Sequence, residues 1–349
     1  MESPALAAAA PVRRGAATPA IPPAAGAASM PVPAAALAPL APGRPVVMLS
    51  GQGAQRPGMG ADLRDVPEVA AAFACASDVL GFDVAASCDS ADALADTAVA
   101  QPALCALSAG LSHALVARGV RPGAVLGFSL GQVGALAVAG MLSDEEAFRL
   151  VKVRSTFMAE AAAARPGAMS ALLRADPAAV EALCARCAQG DVLVPANYNA
   201  PGQIVISGDA AAVARAEESW AVGGGRSSRL ATAGAFHSPL MAPAAAQLDA
   251  YLAAVAFEEP SMPLIENGTA APLAAADARA ALVRHLTGPV RFQQSVEALA
   301  AAGATAFIEA GFGGVLVNLV KRTAKDAARI CVQDRASLEA GVADYGNAL

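Results

Sequence analysis

Ala124-Val125-Leu126-Gly127-Phe128-Ser129-Leu130-Gly131 is the stretch on which the fold turns. A short apolar run bounded by glycine reads as a buried strand. The Gly-x-Ser-x-Gly that follows has the pattern of a nucleophile elbow, a sharp strand-to-helix turn that lifts a serine hydroxyl above the end of a sheet. Glycines two before and two after the serine relieve crowding in such a turn. Past Gly131 the chain continues as a long Ala-rich helical stretch to about residue 164, broken near 140–144. Strand, turn and helix in that order are the context the pattern needs. Gly and Ser are common residues, and a Gly-rich turn with an idle serine fits the same letters equally well.

Working outward, Pro45-Val46-Val47-Met48-Leu49 is a second short apolar run that ends in Ser50-Gly51-Gln52-Gly53. Residues 61–120 carry helical apolar spacing. Downstream, apolar runs at 168–173, 192–195 and 204–207 alternate with helical stretches at 177–189 and 210–222. This block, 168–234, reads as a small α+β subdomain inserted into a larger one. A strand at 305–309 and a helix at 315–325 follow. Repeating βα units imply an α/β fold with a mainly parallel, helix-covered sheet. The expected organisation is a large subdomain of residues 44–167 and 235–335, the insertion, and a C-terminal tail at 336–349. Residues 1–43 are mostly Ala and Pro, with prolines too frequent for a helix. They read as a disordered extension without the apolar h-region of a secretory signal. No uninterrupted apolar run is expected to span a bilayer.

The 349 residues suffice for a large core. Net charge is −6, with no long basic or acidic block, which argues against nucleic acid and anionic membrane as partners. Six cysteines are sparse for this length and point to a reducing, cytoplasmic setting. Cys184 and Cys187 form a lone C-x-x-C. With three histidines in the chain and no second cysteine pair, a zinc site lacks its ligands, so no metal is expected.

A nucleophilic serine needs a base within hydrogen-bond reach. His113 lies in an Ala/Leu helix and His285 in helical Leu282-Val283-Arg284-His285-Leu286, contexts that suit a packed or solvated histidine. His237 lies in Gly234-Ala235-Phe236-His237-Ser238-Pro239-Leu240-Met241, a loop ahead of a helix, and is the leading candidate. Acyl chemistry also needs donors aimed at a developing oxyanion. The Leu130 N–H at the helix start and Gln52 in the loop after the first strand are placed for it.

Five segments in order resemble the malonyl-CoA:acyl carrier protein transacylases and, more loosely, the acyltransferase domains of polyketide synthases. Gly51-Gln52-Gly53-Ala54-Gln55 is similar to the family's N-terminal loop, and Gly127–Gly131 to its elbow. Val151-Lys152-Val153-Arg154 is similar to the segment whose arginine grips the malonyl carboxylate. Asn197-Tyr198-Asn199-Ala200-Pro201-Gly202-Gln203 is similar to the N-x-N-x-P-x-Q signature. Ala235–Met241 is similar to the catalytic-histidine loop. The resemblance spans about 45–335. It implies a hydrolase-like sheet with a ferredoxin-like insertion, and a Ser129–His237 dyad oriented by the backbone carbonyl of His285, where the family often has Gln. Gln52 and Leu130 would form the oxyanion hole. It also implies ping-pong transfer of malonyl from malonyl-CoA to the phosphopantetheine thiol of an acyl carrier protein, in fatty acid biosynthesis, polyketide synthesis or another malonyl route, with no bound cofactor; a monomer is expected.

Arg154 then decides substrate class. A guanidinium holds a carboxylate through two parallel hydrogen bonds, worth roughly 10- to 150-fold in preference over a neutral acyl group. From the residues alone, an arginine paired with a nearby glutamate on a helix surface is the favoured reading of this segment. Phe236, before the histidine, is the malonyl-type residue and would exclude an extra methyl. Phe128 and Gln132 stand where the family commonly has His and Glu, so changes in rate, carrier affinity or acyl selectivity are expected there. Lys321 and Arg322 are candidates for docking an acidic carrier. Two competing readings use the same residues: an editing acyl hydrolase, which has less need of Arg154, and a non-catalytic carrier-binding module.

Overall fold

The computed structural model of the protein describes residues 37–232 and 234–346. Nine strands are seen among them: β1 Val46–Leu49, β2 Ala124–Gly127, β3 Gly167–Ala175, β4 Leu193–Ala200, β5 Gly202–Asp209, β6 Arg226–Arg229, β7 Leu264–Ile265, β8 Ala306–Ala310 and β9 Ala328–Val332. Every residue of β1, β2 and β8 is buried, the mark of central parallel strands covered on both faces. They form a parallel sheet of order β7-β2-β1-β8-β9. Side chains alternate across it with period two. Val46, Met48, Ala124, Leu126 and Phe307 pack with Phe292, Val296, Leu319 and Val320 on one face. Val47, Leu49, Val125 and Ile308 join a larger cluster on the other.

Helix Thr97–Ala117 is interrupted by Gln101, Ser108, Ser112 and His113 but is apolar overall. By length and composition it is apolar enough to cross a membrane, yet 83% of its apolar window is buried inside the protein. Its hydropathy serves the core, where it packs against helices Pro67–Leu80 and Asp144–Ala164. The latter starts on a capping box, Ser143 with Glu146, which marks the break seen in the sequence near 140–144.

The second sheet is antiparallel, order β4-β5-β3-β6, with helices Pro177–Ala188 and Ala210–Val222 as its crossovers. This is the split βαβ arrangement of a ferredoxin-like unit. Cys184 and Cys187 are both buried and unoxidised in it. β6 reads Arg-Ser-Ser-Arg with all four residues exposed, so no apolar alternation announces it. β4 is tied to the large sheet's side: Tyr198 N–H donates to the Val290 carbonyl, and Val290 N–H to that of Ala196, both at 2.8 Å. The turn from β4 to β5 is Pro201-Gly202, with Gly202 at φ 76°, where glycine is at home.

At the ends, residues 1–36 of the expected extension lie outside the described residues. Leu37 and Leu40 pack against the sheet's core, and Leu40 N–H donates to the Ala302 carbonyl at 2.8 Å. Within the expected tail, helix Arg335–Tyr345 is formed and buries Leu338, while 347–349 lie outside the described residues.

The elbow is built by backbone approach. A Cβ on Gly131 would lie 2.2 Å from the Leu49 carbonyl oxygen, and one on Gly127 would lie 2.0 Å from the Gly131 carbonyl carbon. Neither neighbour is a side chain that can swing away. Gly131→Ala should therefore destabilise the fold by about 3 kcal/mol, the upper end of ordinary overpacking. Urea unfolding measures this, and an unchanged midpoint would mean that the elbow does not abut β1.

Candidate active site

Because β7, β2 and β1 are adjacent and parallel, their carboxyl ends line one edge. The loops leaving that edge carry Asn267, Ser129 and Gln52, in the crevice where α/β sheets place ligands.

Ser129 has φ 51°, a left-handed conformation disfavoured for a residue with a Cβ. Asn267 holds it there. Its Oδ1 accepts from Ser129 N–H at 2.8 Å and its Nδ2 donates to the Gly127 carbonyl at 2.6 Å, so one side chain clamps both flanks of the turn. Asn267 N–H in turn donates to Oε1 of Gln132 at 2.8 Å. Gln132 thus keeps the acceptor that a glutamate would supply, without its charge. Among the described residues the Leu130 N–H has no hydrogen-bond acceptor. It is the donor beside Ser129 that remains free.

His237 is 4% exposed, with Nε2 2.7 Å from Ser129 Oγ and Nδ1 2.8 Å from the His285 carbonyl oxygen. A carbonyl only accepts, so Nδ1 carries the proton and the Nε2 lone pair is left for the serine hydroxyl. The acceptor is free because helix Ala275–Thr287 ends there, and the last carbonyls of a helix lack intrahelical partners. Burial, and secondarily the charge of Arg154, push the His237 pKa down to about 4, against the pull of its bond to His285. The ring is a neutral base at ordinary pH.

Arg154 is 2% exposed. Its Nη1 donates to Gln101 Oε1 at 3.1 Å, while Nε and Nη2 have no partner and no acidic side chain pairs with it among the described residues. Burial lowers its pKa to about 10, which still leaves it charged at neutral pH. Gln101 Nε2 donates to Gln52 Oε1 at 2.9 Å, joining the arginine to the loop after β1.

The structure therefore brings together Ser129, His237, the His285 carbonyl, Arg154 and Gln52. The His285 ring packs 5.0 Å from that of His237, with both nitrogens unpaired. Phe236 packs against the main core and against Met169, Ala171, Ala196 and Val205 on the small sheet. Phe128 meets Phe292 edge to face, with ring centroids 5.4 Å apart. His113 stands apart, bonded to Asp144 at 2.9 Å, which raises its pKa. Arg322 is held internally by the Pro201 carbonyl and Gln203 Oε1, both at 2.6 Å. Asn267 and Gln101 escaped the sequence reading. The one available signal for Asn267 was its place after a strand, and β7 is only two residues long. Gln101 lies inside a helix with no motif around it.

The sequence profile of the acyl transferase domain family matches residues 46–340. The malonyl CoA-acyl carrier protein transacylase of Salmonella typhimurium is 38% identical over 298 residues, covering 84% of this chain and 96% of that protein. The crystal structure of malonyl-CoA:acyl carrier protein transacylase from Xanthomonas oryzae superposes with a TM-score of 0.83 at 39% identity, covering 86% of this chain and 98% of that one. A malonyl-transacylase solved in complex with its type II polyketide acyl carrier protein superposes with the same score at 36% identity, covering 86% and 99%.

Three outcomes follow for Ser129 reactivity, read as its rate of labelling by a fluorophosphonate probe. The rate should hold from pH 7 to near pH 5 and fall as His237 protonates with a midpoint of about 4. Removing the nearby cation in Arg154→Ala should move that midpoint upward. Asn267→Ala should slow labelling by about 10²-fold, the cost of a misplaced reacting group. A pH profile that is the same with and without Arg154 would exclude coupling between the two groups.

Proposed function

The chain belongs to the acyl transferase domain family, within the malonyl-CoA:acyl carrier protein transacylases, and from that footing we propose which of its residues perform the transfer. The protein moves malonyl from malonyl-CoA to the phosphopantetheine thiol of an acyl carrier protein, a step of fatty acid biosynthesis. Ser129 is the nucleophile and His237 the base. Nε2 takes the hydroxyl proton as Oγ attacks the thioester carbonyl. The N–H groups of Leu130 and Gln52 hold the resulting oxyanion. Collapse expels the CoA thiolate, which recovers the proton from His237. The carrier's thiol then gives its proton to His237 and attacks the acyl-serine, and the released Ser129 alkoxide is reprotonated.

The observation that carries this reading is the 2.7 Å contact of Ser129 Oγ with His237, beside a buried Arg154 whose Nε and Nη2 are free. Those two nitrogens form the side-on pair of the guanidinium, the pair that meets both oxygens of a carboxylate. Malonyl offers that carboxylate and acetyl does not. Phe236 and Phe128 wall the acyl group and restrict its size. The large subdomain, 44–167 with 235–335, carries the chemistry, and the insertion 168–234 closes one side of it. All named groups come from one chain, which suits a monomer. The free cysteines and the burial of the apolar helix Thr97–Ala117 suit a soluble cytoplasmic enzyme.

The test is transfer from malonyl-, methylmalonyl- and acetyl-CoA to a holo carrier protein, with hydrolysis followed in parallel. Ser129→Ala should lower transfer by at least about 10³-fold. Arg154→Ala should cut the preference for malonyl over acetyl by roughly 10- to 150-fold. Release of acid as fast as transfer would make the protein a hydrolase.

A further inference from the structure

Gln101 is 1% exposed, and its amide is engaged at both ends. Oε1 accepts from Arg154 Nη1 at 3.1 Å, and Nε2 donates to Gln52 Oε1 at 2.9 Å. Gln52 Nε2 donates onward to Thr97 Oγ1 at 3.1 Å. The direction of this chain is not free. A guanidinium has donors only, so the Gln101 oxygen must face Arg154 and its nitrogen must face Gln52. The Gln52 oxygen must then face Gln101, and its nitrogen Thr97. One cation therefore orients two amides, and the second belongs to the loop that follows β1. The same bond uses Nη1 and leaves Nε and Nη2 as the unpaired edge of Arg154.

We propose that Gln101 is a positioning residue for substrate selection: it holds Arg154 with that edge turned to the acyl group, and it joins the carboxylate-binding cation to the oxyanion loop through Gln52. The inference rests on the reading of Arg154 as the partner of the malonyl carboxylate. Acetyl has no carboxylate, so the orientation of Arg154 does nothing for it, although it still uses the Gln52 loop. Loss of Gln101 must then harm malonyl transfer more than acetyl transfer. A residue that only filled space in its helix would, when replaced, harm both alike.

The experiment compares Gln101→Leu, Gln101→Glu, Arg154→Ala and the Gln101→Leu/Arg154→Ala double variant. For each, kcat and KM are measured with malonyl-CoA and acetyl-CoA, alongside thermal unfolding. Gln101→Leu should lower the malonyl-to-acetyl ratio of kcat/KM by about tenfold, the lower end for a hydrogen bond to a charged group. It should raise the KM for malonyl-CoA and change the ratio no further once Arg154 is gone, because contacts in one network are not additive. Gln101→Glu keeps an acceptor for Arg154, but it adds a competing carboxylate and has no donor for Gln52. It should raise the malonyl KM more strongly, and it carries the test if the leucine variant does not fold. If Arg154→Ala collapses the ratio while both Gln101 variants keep it, the role of Gln101 is overturned and the carboxylate reading stands. Full additivity in the double variant overturns it as well. If Arg154→Ala itself leaves the ratio unchanged, the carboxylate reading fails and takes this inference with it.

Discussion

Ser129 is held at φ 51°, a backbone state that costs a residue with a Cβ about 1–3 kcal/mol and persists only where its surroundings over-determine it. Three features do so here. Gly127 and Gly131 remove the side chains that would collide with the turn and with β1. Helix Gly131–Val138 starts directly after it and buries every one of its residues. Asn267 bonds to the backbone on both sides of the serine, and Gln132 bonds to the backbone of Asn267. Ser129 is thus fixed by the packing of two neighbouring strands and the loop of a third.

The same economy shapes the electrostatics. The site contains a buried arginine and two buried histidines, and no acidic side chain pairs with the arginine among the described residues. Burying a charge unpaired is expensive, and both histidines respond by staying neutral, their pKa values pressed down by desolvation. A neutral imidazole is what a proton acceptor must be. The partner of its Nδ1 is a carbonyl at a helix C-terminus, where the backbone carries partial negative charge that would favour an imidazolium. The carbonyl orients the ring and leaves the guanidinium edge free.

The inserted subdomain is not a loose appendage. The signature around Asn197 and Gln203 forms its edge hairpin, β4 with β5, and also its seam with the large sheet's side, through Val290 and Arg322. The Arg291 guanidinium lies over the Tyr198 ring at 5.4 Å from its centroid, which adds a cation–π contact at the same seam. Phe236, next to His237, touches both bodies. The placement of Phe236 and His237 therefore depends on how these two sheets meet.

Local residue patterns carried much of this in advance. Short apolar runs at 46–49 and 124–126 are legible as strands because strands covered on both faces need no alternation. The elbow is legible because only glycines fit around such a turn, and the capping box at Ser143 marks a helix start in the letters themselves. β6 and β7 were not legible, since one is an exposed edge strand paired through its backbone and the other is two residues long. Ser129 and His237 could be nominated from their chemistry and context, and Arg154 only from the resemblance of its segment to the family's. Whether they meet depends on strand order: β7, β2 and β1 must lie side by side before residues 267, 129 and 52 share an edge. Asn267 and Gln101 matter only through bonds to residues 138 and 49–53 positions away along the chain. Contacts of that range leave no local pattern to read, because folding the backbone is what creates them.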